Sequence, residues 1–253
     1  MADAVTGAAR FSSRTAVVTG GGRGIGRAIA LALAAEGASV GVVARSREQC
    51  EAVAAEIGER GIALPGDVRD AESCGRVIAE ITARFGRPSV LVNAAGISPV
   101  RGPAERQDVG TFAQIVSVNL VGAFAMTHAA AGSLGEGGGA VVNVASVLGV
   151  AGSPLLSAYG ASKAALIQLT RTLAREWADR GVRVNALCPG YVETDLTAKM
   201  LTNQPSLNSI LEQTPMRRLA EISEVVTPAL FLASDDASYI TGAALLVDGG
   251  FAA

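Results

Sequence analysis

The stretch "TAVVTGGGRGIGRAIA", residues 15–30, predicts the fold because it joins a strand, a glycine loop and a helix in that order. Its first five residues form the apolar run of a buried strand, and its last residues have apolar side chains at helical spacing. Between them, Gly20, Gly24 and Gly26 open the helix where the chain leaves the strand. Glycines there let the backbone approach a pyrophosphate, and the free N–H groups at the helix start favour an anion. A merely tight turn is the alternative, so the loop needs support from the rest of the chain.

Similar apolar runs recur at even intervals, with helix-length stretches between them. The runs occupy residues 39–45, 62–68, 89–96, 140–146, 182–190 and 243–250. Alternating strands and helices pair in parallel with right-handed crossovers. We therefore expect an α/β fold: a single domain over 1–253, doubly wound, with a seven-stranded parallel sheet and helices on both faces. A less regular excursion at about 191–220 is typical of a substrate lid or a partly mobile segment.

Composition and charge exclude several classes of partner. The net charge of −2 gives no basic field for a nucleic acid backbone. The first residues lack the continuous apolar region of a signal peptide, and no later segment is expected to reach the roughly 18 uncharged apolar residues of a membrane span. We therefore expect no membrane partner and a cytoplasmic location. Cys50, Cys74 and Cys188 lack metal-ligand spacing, which predicts reduced thiols and no metal site.

A tyrosine and a lysine lie one helical turn apart in "SAYGASKAAL", residues 157–166. Residues at i and i+4 share a helix face, so an ordinary amphipathic helix also produces such a pair. A phenol with a pKa near 10 is a poor base at neutral pH. An ammonium about 4 Å from it would contribute roughly 4 kcal/mol at an effective dielectric constant of about 20, or some three pKa units. We therefore expect Lys163 to lower the pKa of Tyr159.

The spacing T-G-x-x-x-G-x-G from Thr19 resembles the short-chain dehydrogenase/reductase family, and in particular its 3-oxoacyl carrier-protein reductases. The resemblance runs from Thr15 to Gly250, and further landmarks follow in family order. They are Asp67 with Val68, "NAAG" at 93–96, Asn119, Ser146, Tyr159 with Lys163, and Pro189 with Gly190 followed by Thr194. The resemblance implies a Rossmann fold and an oxidoreductase that interconverts a ketone and a secondary alcohol by hydride transfer with a nicotinamide cofactor.

The resemblance also implies roles for individual residues. Tyr159 would donate the proton in reduction and accept it in oxidation, and Ser146 would hydrogen-bond the substrate oxygen. Lys163 would also bind the nicotinamide ribose, and Asn119 would anchor a water that leads to bulk solvent. These four form the expected catalytic set. The expected cofactor-binding residues are Gly20, Arg23, Gly24, Ile25, Gly26, Arg45, Ser46, Asp67, Val68, Asn93, Gly96, Tyr159, Lys163, Pro189, Gly190, Val192 and Thr194.

The end of the second strand bears on which cofactor is bound. Ala44 stands where family members that prefer NAD place Asp, and Arg45 and Ser46 follow it. Arg45 can pair with a 2′-phosphate, and Arg23 can add charge, so we expect NADP(H) over NAD(H). Both arginines could instead be solvated surface residues. An NAD-dependent alcohol or polyol dehydrogenase therefore stays open, as does a non-enzymatic cofactor-binding protein, although the latter needs no proton relay.

The expected substrate is a small carbonyl or alcohol, because the predicted pocket stretches are apolar or small, with Arg101 as the nearest anion handle. Residues 132–140, "GSLGEGGGA", lack the basic side chains that would meet an acidic carrier protein. Two long helices, around 108–131 and 154–180, form dimer faces in the family. The resemblance therefore implies a homotetramer.

Overall fold

A parallel sheet of seven strands forms the centre of the computed structural model, which describes residues 9–99, 101–135 and 137–253. The strands are β1 Thr15–Thr19, β2 Ser39–Ala44, β3 Gly61–Pro65, β4 Val90–Asn93, β5 Gly139–Val144, β6 Val182–Pro189 and β7 Ala244–Val247. Their order is β3-β2-β1-β4-β5-β6-β7, and every neighbouring pair is parallel. The predicted doubly wound sheet is confirmed.

Helices cover both faces of this sheet. They are α1 Gly24–Ala35, α2 Arg47–Ile57, α3 Ala71–Phe85, α4 Val109–Val116, α5 Gly122–Gly135, α6 Ser157–Trp177, α7 Asp195–Leu201, α8 Gln204–Gln213 and α9 Ile222–Ala233. A π-turn, Ser117–Val121, joins α4 to α5. Side chains of α1, α2 and α9 share one apolar core with the sheet, and those of α3, α5 and α6 share the other. The two cores explain why the strands read as continuous apolar runs.

Strand β1 shows how one run serves both cores. Ala16 and Val18 pack on the side of α1 and α9, whereas Val17 packs on the side of α3 and α5. All three are fully buried. Alternate residues of a strand point to opposite faces, so a strand covered on both faces needs apolar side chains at every position. Burial of each Val contributes roughly 1.5–3 kcal/mol.

The strand order reverses at β1, because β2 lies on one side of it and β4 on the other. In open α/β sheets, ligands bind outside the carboxyl ends of the strands at such a switch point. The glycine loop follows β1, Arg45 follows β2 and Gly96 follows β4. The topology therefore collects the predicted cofactor residues at one edge of the sheet.

The excursion predicted at about 191–220 leaves the end of β6 and folds into α7 and α8. A parallel bridge between Val192 and Ala220 closes its base. The Thr197 hydroxyl donates to the Val192 carbonyl at 2.5 Å and accepts from the Thr194 N–H at 3.0 Å. These contacts fix the first turn of α7 above the carboxyl edge of the sheet.

The helix Val109–Gly135, formed by α4, the π-turn and α5, is 27 residues long, with a mean hydropathy of 1.6 in its most apolar window. By length and composition alone it could cross a membrane, so the expectation that no segment reaches the length and apolar composition of a membrane span is wrong. Core helices of α/β proteins pass the same test, so one such helix is weak evidence for a membrane. Here Met126, Ala130 and Leu134 are buried in the core shared with α3 and the sheet, while Val109 and Phe124 are exposed.

The glycine loop depends on a close backbone approach. Gly20 has a φ of +66° and Gly24 of +55°, in the left-handed region that favours glycine. A Cβ on Gly26 would lie 2.3 Å from the Gly20 carbonyl oxygen, which belongs to the backbone and has little room to move. Gly26 therefore lets the start of α1 pack directly under the loop.

We predict that Gly26→Ala lowers the free energy of unfolding by about 1–3 kcal/mol, because the methyl group overpacks a rigid contact. The matched control is Gly75→Ala. Gly75 is exposed within α3, and a Cβ there would meet nothing within 4 Å. This control should raise stability by about 0.5–1 kcal/mol, because alanine favours the helix. Denaturant unfolding of the native protein and the two variants measures the predicted loss and the predicted gain in stability. Equal stabilities of all three would contradict the packing argument.

Candidate active site

A cleft of about 580 Å³ opens at the carboxyl ends of β1 and β4. Every predicted cofactor residue except Asn93 lines it. The lining comes from the glycine loop, the ends of β2 and β3, the turn after β4, the start of α6 and the segment after β6. Residues that lie far apart in the sequence thus meet at one surface because their strands end at the same edge.

The floor of the cleft fits a pyrophosphate. Helix α1 begins at Gly24 facing the cleft, and its N-cap residue, Arg23, makes no side-chain capping bond within the described part of the chain. A Cβ on Gly24 would extend into open space, with Thr194 the nearest side chain at 3.9 Å. Uncapped N–H groups and the helix dipole favour an anion at this point. A nicotinamide dinucleotide therefore fits the loop through its phosphates.

The rim of the cleft beyond β2 and β3 is charged. Arg45 is exposed there, and Ser46 caps α2 by accepting from the Gln49 N–H at 3.3 Å. The Asp67 carboxylate pairs with Arg69 at 2.6 Å, and these hydrogen bonds hold the pKa of Asp67 below its ordinary value. The charge of Arg45 acts in the same direction. The Asp67 carboxylate is thus engaged by a neighbouring arginine at the adenine end that the family resemblance assigns to it.

An ion pair also spans the cleft. Arg23, in the glycine loop, lies 3.6 Å from Asp195, the first residue of α7, and both side chains are largely exposed. Exposed pairs of this kind contribute at most about 1 kcal/mol. Arg23 therefore already has a carboxylate neighbour on α7. Of the two arginines expected to bind a 2′-phosphate, Arg45 is the one that lies at the rim.

Three of the four predicted catalytic side chains converge at the end of β5. Ser146 follows the strand, and its Oγ accepts from the Leu148 N–H at 3.1 Å. Tyr159 lies in the first turn of α6, and Lys163 follows one turn later. The Lys163 Nζ donates to the Val144 carbonyl at 2.7 Å and lies 5.7 Å from the centre of the Tyr159 ring. Ser146, Tyr159 and Lys163 all line the cleft.

The expected lowering of the Tyr159 pKa is wrong, because the pKa is raised instead. Burial raises the pKa of Tyr159 to about 12, and a hydrogen bond with Ser146 offsets this only in part. Burial also lowers the pKa of Lys163 to about 8. The ammonium is directed at the Val144 carbonyl, so desolvation of the phenol outweighs its attraction. The phenol hydroxyl therefore stays protonated at neutral pH.

Asn119, the fourth predicted catalytic residue, lies in the π-turn and is fully buried. Its Oδ1 accepts from the Ile97 N–H at 2.8 Å. Its Nδ2 donates to the Ile97 carbonyl at 3.1 Å and to the Ser162 hydroxyl at 3.0 Å. The side chain therefore ties the turn after β4 to α6. Its predicted role in holding a water stays a prediction.

Asn93 requires a correction, because the structure places it outside the cleft. It is 2% exposed, and its Nδ2 donates to Thr127 at 2.8 Å and to Asn143 at 2.9 Å. Position 93 directs its side chain to the face of the sheet that α5 and α6 cover, since alternate strand residues point to opposite faces. Asn93 joins β4, β5 and α5 beneath the site and does not line the cofactor cleft.

Sequence reasoning missed several lining residues. Gln49 lies in the first turn of α2 at the rim, and Asp195, Leu196 and Thr197 reach the cleft from α7. The capping pattern Ser46 to Gln49 was a signal for the first, because the cap fixes where α2 begins. The α7 residues had no comparable signal in the sequence, because the position of α7 depends on how it packs over the edge of the sheet.

A second cavity, of about 480 Å³, adjoins the first. Ser146, Tyr159 and Gly190 line both cavities. Its walls come from the loop after β4, the 3₁₀ turn after Ser146, and α7 and α8. The volume is within the range of small-molecule sites. A molecule in this cavity would meet the Tyr159 hydroxyl on one side and the dinucleotide cleft on the other.

Comparison with known proteins indicates the same family as the sequence motifs do. A family model described as enoyl-(acyl carrier protein) reductase matches residues 20–252. Galactitol 2-dehydrogenase (L-tagatose-forming) from Cereibacter sphaeroides is 44% identical over 246 residues, which cover 96% of this chain and 96% of that protein. A 3-oxoacyl-acyl-carrier-protein reductase from Staphylococcus aureus is 39% identical, over 94% of this chain and 98% of the reductase.

A solved structure extends the likeness to three dimensions. The protein described as an NAD(P)-dependent gluconate 5-dehydrogenase from Beutenbergia cavernae, which contains NADP at low occupancy, aligns with a TM-score of 0.89. The two chains are 42% identical, and the alignment covers 97% of this chain and 99% of that one. With the glycine loop, the Tyr–Lys helix and these relatives in agreement, the chain belongs to the short-chain dehydrogenase/reductase family of oxidoreductases, which act on CH–OH or C=O groups with NAD(P).

Proposed function

We propose that this protein is an NADP(H)-dependent oxidoreductase that interconverts a ketone and a secondary alcohol, with Tyr159 as the acid/base. One observation carries the proposal. Ser146 and Tyr159 line both the dinucleotide cleft and the adjoining cavity, so a substrate in the cavity lies between them and the cofactor. The proposal assigns catalysis to Asn119, Ser146, Tyr159 and Lys163.

The nicotinamide, when bound, supplies a hydride to the carbonyl carbon or takes one from the carbinol carbon. The residues of this chain handle the oxygen and its proton. In reduction, Ser146 hydrogen-bonds the carbonyl oxygen and Tyr159 gives it a proton, so a ketone, NADPH and one proton give a secondary alcohol and NADP⁺. In oxidation Tyr159 takes the alcohol proton. Lys163 places its ammonium 5.7 Å from the centre of the Tyr159 ring, in a buried position where a positive charge attracts a phenolate more strongly than in water.

The raised pKa of Tyr159, about 12, suits the reductive direction. The phenol is protonated throughout the neutral range, so every molecule carries the proton to be donated. An alkoxide is a stronger base than a phenolate, so transfer to the developing oxyanion is downhill. Lys163, whose own pKa is lowered to about 8, can lose charge near neutral pH and so can pass a proton back to the phenolate.

The preference for NADP(H) rests on the rim of the cleft. Arg45 is exposed beside Ser46, and position 44 holds Ala, so no carboxylate opposes a 2′-phosphate at the end of β2. A guanidinium pairs with phosphate through two parallel N–H bonds. A second candidate is an NAD-dependent alcohol or polyol dehydrogenase. The galactitol 2-dehydrogenase relative favours a polyol substrate for that candidate.

We also propose a cytoplasmic homotetramer without nucleic acid or membrane partners. The exposed face of the helix Val109–Gly135 supports assembly. Val109 is 80% exposed, Val121 is 49% exposed, and Phe112 and Phe124 lie on the same helix. Large apolar side chains exposed along one helix are typical of a surface that another chain covers. A second copy of the chain packed there would cover them.

Replacement of Tyr159 tests the mechanism. We expect Tyr159→Phe to lower kcat by about 10²–10⁴-fold, because the proton donor is lost while the ring still packs. The Kd for NADPH should stay within a few-fold. The matched control is Tyr239→Phe, which removes a hydroxyl from a fully exposed tyrosine and should leave turnover unchanged. Steady-state kinetics and nucleotide titration measure both quantities, and a Tyr159→Phe protein that keeps most of its activity would contradict the role.

Replacement of Arg45 tests the cofactor preference. We expect Arg45→Ala to weaken NADPH binding by about 10–100-fold, the value of one charge-assisted contact, and to leave NADH binding unchanged. Arg47→Ala is the matched control, because Arg47 is exposed two residues away, pairs with Glu51 and does not line the cleft. Nicotinamide fluorescence gives each Kd. Tighter binding of NADH than of NADPH by the native protein would overturn the preference and favour the second candidate.

A further inference from the structure

The cavity of about 480 Å³ that adjoins the dinucleotide cleft is called the substrate cavity here. It contains one charged side chain among its described lining residues, Arg101. Arg101 follows β4 in the loop that forms one wall, and the described residues give it no carboxylate within ion-pair distance. The other lining residues are apolar or carry hydroxyl and amide groups. Among the described lining residues, Arg101 is therefore the one charged group, and the described ion pairs do not neutralise it.

Arg101 shares the substrate cavity with two tyrosines, Tyr159 and Tyr191. Tyr191 lines the cavity together with Tyr159 and adds to the electrostatic environment of the Tyr159 phenol. Arg101 in turn lowers the pKa of Tyr191, against the burial that raises it. Arg101, Tyr191 and Tyr159 all line this one cavity. A ligand that fills the cavity therefore contacts both Arg101 and the Tyr159 side chain.

The other positive charge near the reacting groups is not available to a substrate anion. Lys163 is 4% exposed and donates to the Val144 carbonyl, and it lines the cofactor cleft but not the substrate cavity. An anionic group on a substrate would therefore find its partner at Arg101. A guanidinium binds a carboxylate with two parallel hydrogen bonds, which fixes orientation as well as affinity.

We propose that Arg101 binds the carboxylate of the substrate, so that the enzyme acts on hydroxy acids and the corresponding oxo acids. This inference rests on the proposed function, because it places the reacting carbon at Tyr159. The apolar side chains of Val147, Leu148 and Leu156 line the cavity and would contact the carbon skeleton between the two ends.

The test uses ketones in matched pairs that differ in one charge: 4-oxocyclohexanecarboxylate with its carboxamide, and 5-oxohexanoate with its amide. With NADPH, the native enzyme should prefer each acid over its amide by at least about tenfold in kcat/KM. Arg101→Gln should abolish that preference, and Arg101→Lys should keep part of it. Arg106→Gln is the control, because Arg106 is exposed in the same loop and lines neither cavity.

A second measurement separates this inference from the proposed function. The native protein and Arg101→Gln are each loaded with NADPH, and the acids and amides are titrated against the fluorescence of the bound nucleotide. Binding of the acids that is stronger than that of the amides, and is lost in Arg101→Gln, supports the inference even where a ketone is not reduced. Equal binding of acid and amide, or an acid preference that survives Arg101→Gln, overturns it. Failure of NADPH to bind or to reduce any ketone, neutral or acidic, counts against the proposed function instead.

Discussion

The hydrogen bond from the Lys163 ammonium to the Val144 carbonyl, 2.7 Å long, is the interaction on which the site depends. Lys163 is almost fully buried, and a buried cation without a partner is costly. The carbonyl at the end of β5 supplies that partner, so the lysine holds α6 at a fixed height above the sheet. Tyr159, one turn earlier on α6, thereby faces Ser146, which follows the same strand. One contact thus sets the relative positions of Ser146, Tyr159 and Lys163, the side chains that we propose take part in catalysis.

Beneath this contact, a set of buried polar groups keeps the helices in register with the sheet. Asn93 links β4 to β5 and α5, and Asn143 donates to Thr170 of α6 at 2.9 Å. Asn119 joins α6 to the turn after β4 from above. Directional bonds in a core otherwise built from Ala, Val and Leu prevent the helices from sliding, which apolar contacts alone do poorly. The reactive groups are therefore supported on both sides of α6.

The fold and most of the site could be predicted from sequence because their signals are local. The seven apolar runs and the glycine loop gave the sheet and its switch point, and the Tyr–Lys spacing gave the reactive helix. The failures all concern properties that packing decides. The face of β4 on which Asn93 lies follows from sheet register, and the raised pKa of Tyr159 follows from desolvation that no spacing reveals. The contribution of α7 to the cleft depends on how α7 packs over the edge of the sheet. The sequence of a short segment does not predict such long-range packing.

We propose that hydride is transferred to a carbonyl carbon at this site. The matching family model is instead described by the reduction of an enoyl group, in which a carbon–carbon double bond is reduced. An enone that carries both acceptors distinguishes the two chemistries. The measurement is mass spectrometry and proton NMR of the product formed from an enone and NADPH that carries deuterium at C4 in its transferable position. We predict an allylic alcohol with one deuterium on the carbinol carbon. A saturated ketone with deuterium on the β-carbon would contradict it.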